Sequence, residues 1–296
     1  MRTFIKLILR KLKAYIILSR PKQWIKNVFV FAALVFSNNL FNISLLETTI
    51  FTSIIFCAAS IFVYILNDLV DAERDKYHPK KQNRPIASNL VSKWEAIIII
   101  VFLLPIIIYF SYTLNKYFTL IILAYLLNNL LYSFILKRIV IVDAMSIAFG
   151  FILRVVAGAA VIDVELSPWI LLCTFLISLF IGFSKRRNEL VLLEFRAESH
   201  REILQHYSLQ FIDHILSTTT SLTVIAYSIY TFSAHSNSYM MLTIPFVLYG
   251  IFRYQYLIYI KRECGNPEEI FLSDKPLILD SFFWVCMSIF IIYKTR

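Results

Sequence analysis

Apolar residues run through this chain in long blocks separated by short polar connections. Nine blocks approach the ~20 residues that an α-helix needs to cross the hydrocarbon of a bilayer. They lie near residues 24–41, 48–67, 94–112, 117–136, 141–162, 168–184, 213–233, 239–260 and 276–293. In a block such as 96–110 the apolar positions surround the helix axis and do not alternate. That pattern predicts lipid-embedded helices and excludes the two-residue period of a membrane β-barrel. The expected fold class is therefore all-α: a polytopic membrane protein of about nine transmembrane helices. No Gly/Ser-rich linker and no internal repeat divides it, so residues 1–296 read as a single transmembrane domain. Residues 1–20 differ, because Arg2, Lys6, Arg10, Lys11 and Lys13 alternate with Phe4, Leu7, Leu9, Leu12 and Ile16. This is the pattern of an interfacial amphipathic helix on anionic membrane lipids. Charges break its apolar run and no small-residue cleavage site follows, which argues against a cleaved signal.

Composition agrees, with 59% hydrophobic and 16% charged residues. The net charge of +10 might suggest nucleic acid as a partner, but the bases are distributed by a topology rule and form no groove-reading patch. They precede the first apolar block, then recur between the second and third (Arg74 to Lys93), the fourth and fifth (Lys137, Arg138) and the sixth and seventh (Lys185 to Arg201). The intervening connections hold Lys116 alone. By the positive-inside rule this places the N-terminus and the motif loops in the cytoplasm, in a multi-pass protein of the cell (inner) membrane, with Arg296 outside. Cys57, Cys173, Cys264 and Cys286 show no paired spacing and imply neither a disulfide nor zinc.

The candidate chemistry stands where the second block ends. Asn67, Asp71 and Asp75 recur every four residues, and Asp68 stands three before Asp71, so at helical spacing they share one stripe. Stacked carboxylates repel unless a cation lies between them. Oxygen-only donors point to Mg²⁺ and not zinc, and Mg²⁺ is commonly held by one or two carboxylates together with substrate phosphates. The bases that follow, Lys76 to Arg84, suit phosphate; the bland alternative is a solvated charged loop. Tyr132, Lys137, Lys185 and Arg186 put further polar groups at the same expected depth. Asp143 and Arg154 are charges inside the fifth block, three turns apart on one face, with Gly150 and Gly158 allowing close helix approach. Each either pairs with a neighbouring helix or meets substrate. Asn128 and Asn129 read as interhelical hydrogen-bonding residues, His78 as a loop-ordering residue, and His200, His206, His214 and His235 form no ligand set.

Asn67-Asp68-x-x-Asp71-x-x-x-Asp75, together with Tyr132-Ser133 and Lys137, resembles the UbiA-type superfamily of intramembrane prenyltransferases. Further segments resemble its decaprenyl-phosphate phosphoribosyltransferase branch: Arg20-Pro21-Lys22-Gln23-Trp24-Ile25-Lys26-Asn27, His78-Pro79-x-Lys81-x-x-Arg84-Pro85, Gly150 to Gly158, Lys185-Arg186, Phe252-Arg253-Tyr254 and Gly265-x-Pro267-Glu268. The resemblance implies a UbiA-like helical bundle. It also implies transfer of 5-phosphoribose from phosphoribosyl diphosphate to a polyprenyl phosphate. In that reading Asn67, Asp68, Asp71 and Asp75 hold Mg²⁺ against the donor diphosphate, and Lys81, Arg84, Tyr132 and Lys137 bind phosphate oxygens. Gln23, Lys26, Asn27 and Arg154 are then candidates for the acceptor phosphate or the ribose, with Asp143, Lys185 and Arg186 beside them. Prenyl-transferring members carry a second aspartate-rich motif, where this chain has only Asp143. The alternatives are prenyl transfer to an aromatic or other small acceptor, and transport across the membrane.

Overall fold

The computed structural model describes residues 2–77, 81–194, 202–233, 238–261 and 267–294. His78 and Pro79, His200, His235, Cys264 and Gly265 lie outside the described residues. Among the described residues twelve α-helices follow one another: α1 (Arg2–Ser19), α2 (Ala32–Phe36), α3 (Ile43–Val70), α4 (Ala72–Asp75), α5 (Lys93–Leu114), α6 (Lys116–Phe134), α7 (Val142–Ile162), α8 (Pro168–Glu194), α9 (Leu209–Ser233), α10 (Ile244–Tyr259), α11 (Pro267–Ser273) and α12 (Lys275–Lys294). Among the described residues there is no strand.

Polar caps start α3, α5 and α6 where their apolar blocks begin. Ser92 and Glu95 form a reciprocal capping box on α5, with Glu95 N–H donating to Ser92 Oγ at 3.1 Å and Ser92 N–H to Glu95 Oε2 at 2.8 Å. Asn115 accepts from Tyr117 N–H at 2.7 Å and so starts α6. Its amide also donates to the Ala160 carbonyl at 2.9 Å, fastening the start of α6 to the end of α7.

Among the described residues seven helical stretches are long and apolar enough to cross a membrane: α3, α5, α6, α7, α8 (as Pro168–Val191), Ser238–Tyr259 and α12. Two of the nine expected spans differ. The block at 24–41 begins instead as a 3₁₀ helix, Pro21–Phe31, continued by the five-residue α2. At a rise of about 2.0 Å per residue against 1.5 Å, this short stretch still reaches on the order of 30 Å. The block at 213–233 is the helix α9, whose Thr and Ser residues lower its hydropathy. Their hydroxyls are satisfied within the helix, as where Thr218, Thr219 and Thr223 donate to His214, Ile215 and Thr219 carbonyls at 2.9, 2.8 and 2.6 Å.

α7 is the central pillar. Its apolar window is 61% buried, against 11% for the peripheral α5, and it packs on α2, α3, α6, α8 and the 3₁₀ segment. Gly158 makes the last contact possible, because a Cβ there would stand 1.9 Å from the Val30 carbonyl oxygen. Gly150 has no such role; a Cβ there would meet only the Arg154 and Tyr125 side chains, at 3.6 and 3.8 Å. α1 buries Ala14 and Leu18 in a cluster with Ile65, Ala72, Ile86 and Val91, and leaves Leu9, Leu12, Ile16 and Ile17 exposed.

Candidate active site

α3 ends at Val70, and Asp71 takes a bridge conformation (φ −91°, ψ 0°) before the single turn of α4. Hydrogen bonds from Asp71 N–H to the Asn67 carbonyl and from Asp75 N–H to the Asp71 carbonyl, both 2.9 Å, keep the path helical. The acidic stripe nevertheless divides. Asp68 and Asp75, seven residues apart, turn to one side. There Arg84 Nη1 bridges them, 3.1 Å from Asp68 Oδ1 and 2.6 Å from Asp75 Oδ2. Arg20 adds a second cation to Asp68 and lies 5.1 Å from the Tyr64 ring centroid. Asn67 and Asp71, four apart, turn toward the end of α6, where Ser133 donates to Asn67 and Lys137 Nζ meets Asp71 Oδ1 at 2.8 Å. The single shared stripe expected from spacing is thus corrected to two faces. Residues seven apart repeat on a 3.6-residue helix within about 20°, whereas Asp71 follows Asp68 by three and sits off that line. Among the described residues no group of three His, Cys, Asp or Glu side chains converges as a metal cage.

Beneath this end a cleft of about 150 Å³ opens between the 3₁₀ segment, α3, α6 and α7. Lys26, Asn67, Asn128, Asn129, Tyr132 and Arg154 line it, with Val63, Ile147 and Phe151 among its apolar walls. Arg154 is 5% exposed. It donates from Nε to Asn27 Oδ1 at 2.8 Å, from Nη1 to the Gly150 carbonyl at 2.7 Å and from Nη2 to Tyr125 Oη at 3.0 Å. Phe151 and Tyr125 rings flank the guanidinium at 5.3 and 4.9 Å. These partners are all neutral, so Arg154 brings a buried positive charge to the cleft with no carboxylate against it among the described residues. An anion entering the cleft supplies what a buried charge otherwise lacks.

The other intramembrane charge has a different fate. Asp143, with no exposed surface, accepts from Arg186 Nε at 2.6 Å and from Tyr207 Oη at 3.1 Å. Arg186 spends its remaining nitrogens on Glu189 at 2.8 Å and Tyr132 Oη at 3.4 Å. Burial pushes the Tyr207 phenol up to about 12, so it stays a donor at neutral pH. Tyr207 Oη also accepts from Ile141 N–H at 2.6 Å. Ile141 has φ 71° and ψ −46°. For a β-branched residue this is strained, at a cost on the order of 1–3 kcal/mol.

Three expected substrate contacts are therefore corrected. Asn27, Asp143 and Arg186 are at most 1% exposed, and their polar groups are taken by protein partners. They position other groups. Gln23 accepts from Lys26 Nζ at 2.6 Å beside the cleft. Lys81, in the 3₁₀ turn Lys81–Asn83, and Lys185 on α8 are half-buried, and neither is free. Asn128 does bond across helices, to the Ser146 carbonyl at 3.0 Å, whereas Asn129 bonds within α6 to the Tyr125 carbonyl at 2.7 Å. Sequence reasoning missed Arg20 and Tyr207 as site residues. Arg20 had a signal: it precedes Pro21, which disfavours the α region, and it adopts φ 49°. Tyr207 had none, since its partners lie 64 and 66 residues away.

Comparison with known proteins bears on the family and the fold. The chain is 30% identical over 282 residues to the decaprenyl-phosphate phosphoribosyltransferase of Mycolicibacterium smegmatis, covering 90% of this chain and 88% of that protein. It is 31% identical to the protein of the same name from Corynebacterium glutamicum, covering 93% and 85%. Among solved structures, a UbiA homolog from Archaeoglobus fulgidus bound to GPP and Mg²⁺ superposes with a TM-score of 0.72 at 18% identity, covering 95% of this chain and 99% of the other. Residues 27–273 match the UbiA prenyltransferase family, and with relatives at this identity over nearly its whole length the chain belongs to that family of membrane transferases.

Proposed function

We propose that this protein transfers 5-phosphoribose from phosphoribosyl diphosphate to a polyprenyl phosphate, releasing diphosphate. The observation that carries the reading is Arg154: a buried cation with no carboxylate against it among the described residues, at the wall of a cleft that also holds Lys26, Asn128, Asn129 and Tyr132. Those amides and cations suit the phosphate and hydroxyl groups of a sugar phosphate, and the apolar walls of the same cleft, Val63, Ile147 and Phe151, suit the isoprenoid end of the acceptor. The relatives named decaprenyl-phosphate phosphoribosyltransferase support the same donor and acceptor classes.

Asn67, Asp68, Asp71 and Asp75 offer only oxygen atoms, which fits Mg²⁺, and an ion completed by substrate phosphates needs no three-acid cage. When bound, Mg²⁺ neutralises charge on the departing diphosphate. Lys137, Lys81, Arg84 and Arg20 gather around the same acids and bind diphosphate oxygens, Arg through forked contacts and Lys as point charges. Lys26, steadied by Gln23, and Arg154, steadied by Asn27, hold the other anionic groups along the cleft. Asp143 and Arg186 position Tyr132, and Lys185 extends the basic rim. The acceptor phosphate is ionised near neutral pH, so its oxygen attacks the anomeric carbon without a dedicated base; the C–O bond to diphosphate breaks as the new C–O bond forms. Catalysis is positioning and electrostatics. By the positive-inside rule the basic connections support a cytoplasmic position for this end of the bundle, with α1 in the adjoining interface and the isoprenoid substrate entering from the lipid.

The test is purified protein in detergent with radiolabelled phosphoribosyl diphosphate, undecaprenyl phosphate and Mg²⁺, beside Asp71→Asn. Label entering the organic phase only with metal and intact Asp71 supports the reading. Consumption of a prenyl diphosphate with no movement of ribose label overturns it in favour of prenyl transfer.

A further inference from the structure

We propose that Tyr207 is a positioning residue for the phosphate-binding connection between α6 and α7, its hydroxyl holding Ile141 in a strained turn that delivers Lys137 to Asp71. The inference rests on the reading that Lys137 serves the donor diphosphate.

Lys137 lies in the 3₁₀ turn Leu136–Arg138, and three residues separate it from Ile141, which precedes the start of α7. Ile141 lies near the rarer form of γ-turn, a backbone region that glycine enters freely and isoleucine resists. Nothing on its own side chain caps α7. What restrains the turn comes from elsewhere: Tyr207 accepts from Ile141 N–H and donates to Asp143, so one hydroxyl ties the turn to the first helical turn of α7. Phe183 and Phe211 hold the Tyr207 ring at centroid distances of 6.4 and 6.2 Å, and the ring sits in the largest buried cluster with Ile203, Leu204 and Leu257. The Glu202–His206 segment packs against the Leu136–Arg138 turn, so the α8–α9 connection supports the Lys137 loop from behind. A tyrosine kept only for packing would need its ring and not its hydroxyl. Two directed bonds to a strained backbone amide and a buried carboxylate give the hydroxyl a task of its own.

The experiment uses full-length protein in detergent and measures binding of inorganic diphosphate with Mg²⁺ by calorimetry, alongside transfer kinetics. Tyr207→Phe should weaken diphosphate binding about tenfold, the worth of one hydrogen bond to the loop. Ile141→Gly, which removes the strain, should restore Tyr207→Phe to within about threefold of wild type. Because Tyr207 acts through Lys137, Tyr207→Phe should weaken Lys137→Met by less than about twofold, a non-additive pair. Wild-type binding in Tyr207→Phe, failure of Ile141→Gly to restore it, or full additivity with Lys137→Met would each overturn the proposal. Variants that show this coupling in diphosphate binding, while wild-type protein transfers no phosphoribose, leave the positioning role standing and remove the functional reading. Active transfer with an unaffected Tyr207→Phe does the reverse.

Discussion

Arg154 on α7 donates from Nε to Asn27 Oδ1 at 2.8 Å, a bond joining residues 127 positions apart and holding a guanidinium inside the bundle with no carboxylate partner among the described residues. Asn27 in turn donates to Cys57 Sγ at 3.1 Å, so the amide is fixed at both ends. Asn27→Ala leaves a charged N–H buried without its acceptor, at a cost of roughly 1–3 kcal/mol. Arg154→Lys keeps the charge but cannot make three directed bonds at once. Both should raise KM for phosphoribosyl diphosphate by about tenfold or more, one charged hydrogen bond being worth that much. Steady-state kinetics with each variant checks this; an unchanged KM removes Arg154 from the substrate cleft.

Arg84 separates two acids that are nearly enclosed, the Asp68 and Asp75 side chains being 3% and 5% exposed. Arg84→Gln withdraws the shared cation and should destabilise the protein toward the lower end of ~3–5 kcal/mol, since Arg84 itself retains some solvent contact. The acids then gain most from another cation. Mg²⁺ should raise the unfolding temperature of Arg84→Gln more than that of wild type, as read by thermal unfolding in detergent with and without the metal. Equal shifts in both proteins would mean that these oxygens do not take the ion.

Gly158 and Gly150 give a matched pair of substitutions. Gly158→Ala sets a methyl group 1.9 Å from the Val30 carbonyl oxygen, which neither backbone can absorb in place. It should cost ~3 kcal/mol or more, above the usual 1–3 kcal/mol of overpacking, and displace the segment bearing Lys26. Gly150→Ala meets only side chains at ordinary contact distance and should leave the unfolding temperature within a few degrees of wild type. Parallel thermal unfolding of the two variants distinguishes them.

The α10–α12 end carries a pH dependence of known sign. Asp274 receives Arg253 Nε at 3.1 Å and Nη2 at 2.9 Å, and its Oδ1 caps α12 by accepting Leu277 N–H at 3.0 Å. The Arg253 hydrogen bond holds the Asp274 carboxyl below the ordinary carboxylate value. A depressed folded-state value stabilises the protein above the unfolded value near 3.9, and that stabilisation is lost as pH falls through the lower folded value. Asp274→Asn should therefore be less stable than wild type by about 1 kcal/mol at pH 7. The two unfolding temperatures should draw together as pH falls below the ordinary carboxylate range and through the lower folded value; a gap that stays constant with pH would show that the carboxylate charge is not what stabilises this corner.

The sequence by itself determined the helical, membrane-embedded class, most of the helix positions, and the gathering of acids and bases at one end of the bundle. These depend on local properties: the length of an apolar block, the 3.6-residue period, and the capping chemistry of residues such as Ser92, Glu95 and Asn115. It also carried enough motif residues, from Arg20-Pro21 to Lys137, to place the family. Only the tertiary structure decided which charge meets which. Asp143 and Arg154 share one helix, yet Asp143 finds Arg186, 43 residues onward, while Arg154 finds Asn27. The acidic stripe divides because Arg84 and Lys137 approach it from different sides. The first apolar block becomes a 3₁₀ helix where its backbone rests on Gly158. Such choices depend on which side chains a long chain brings to the same few ångströms, and spacing along one helix does not contain that information.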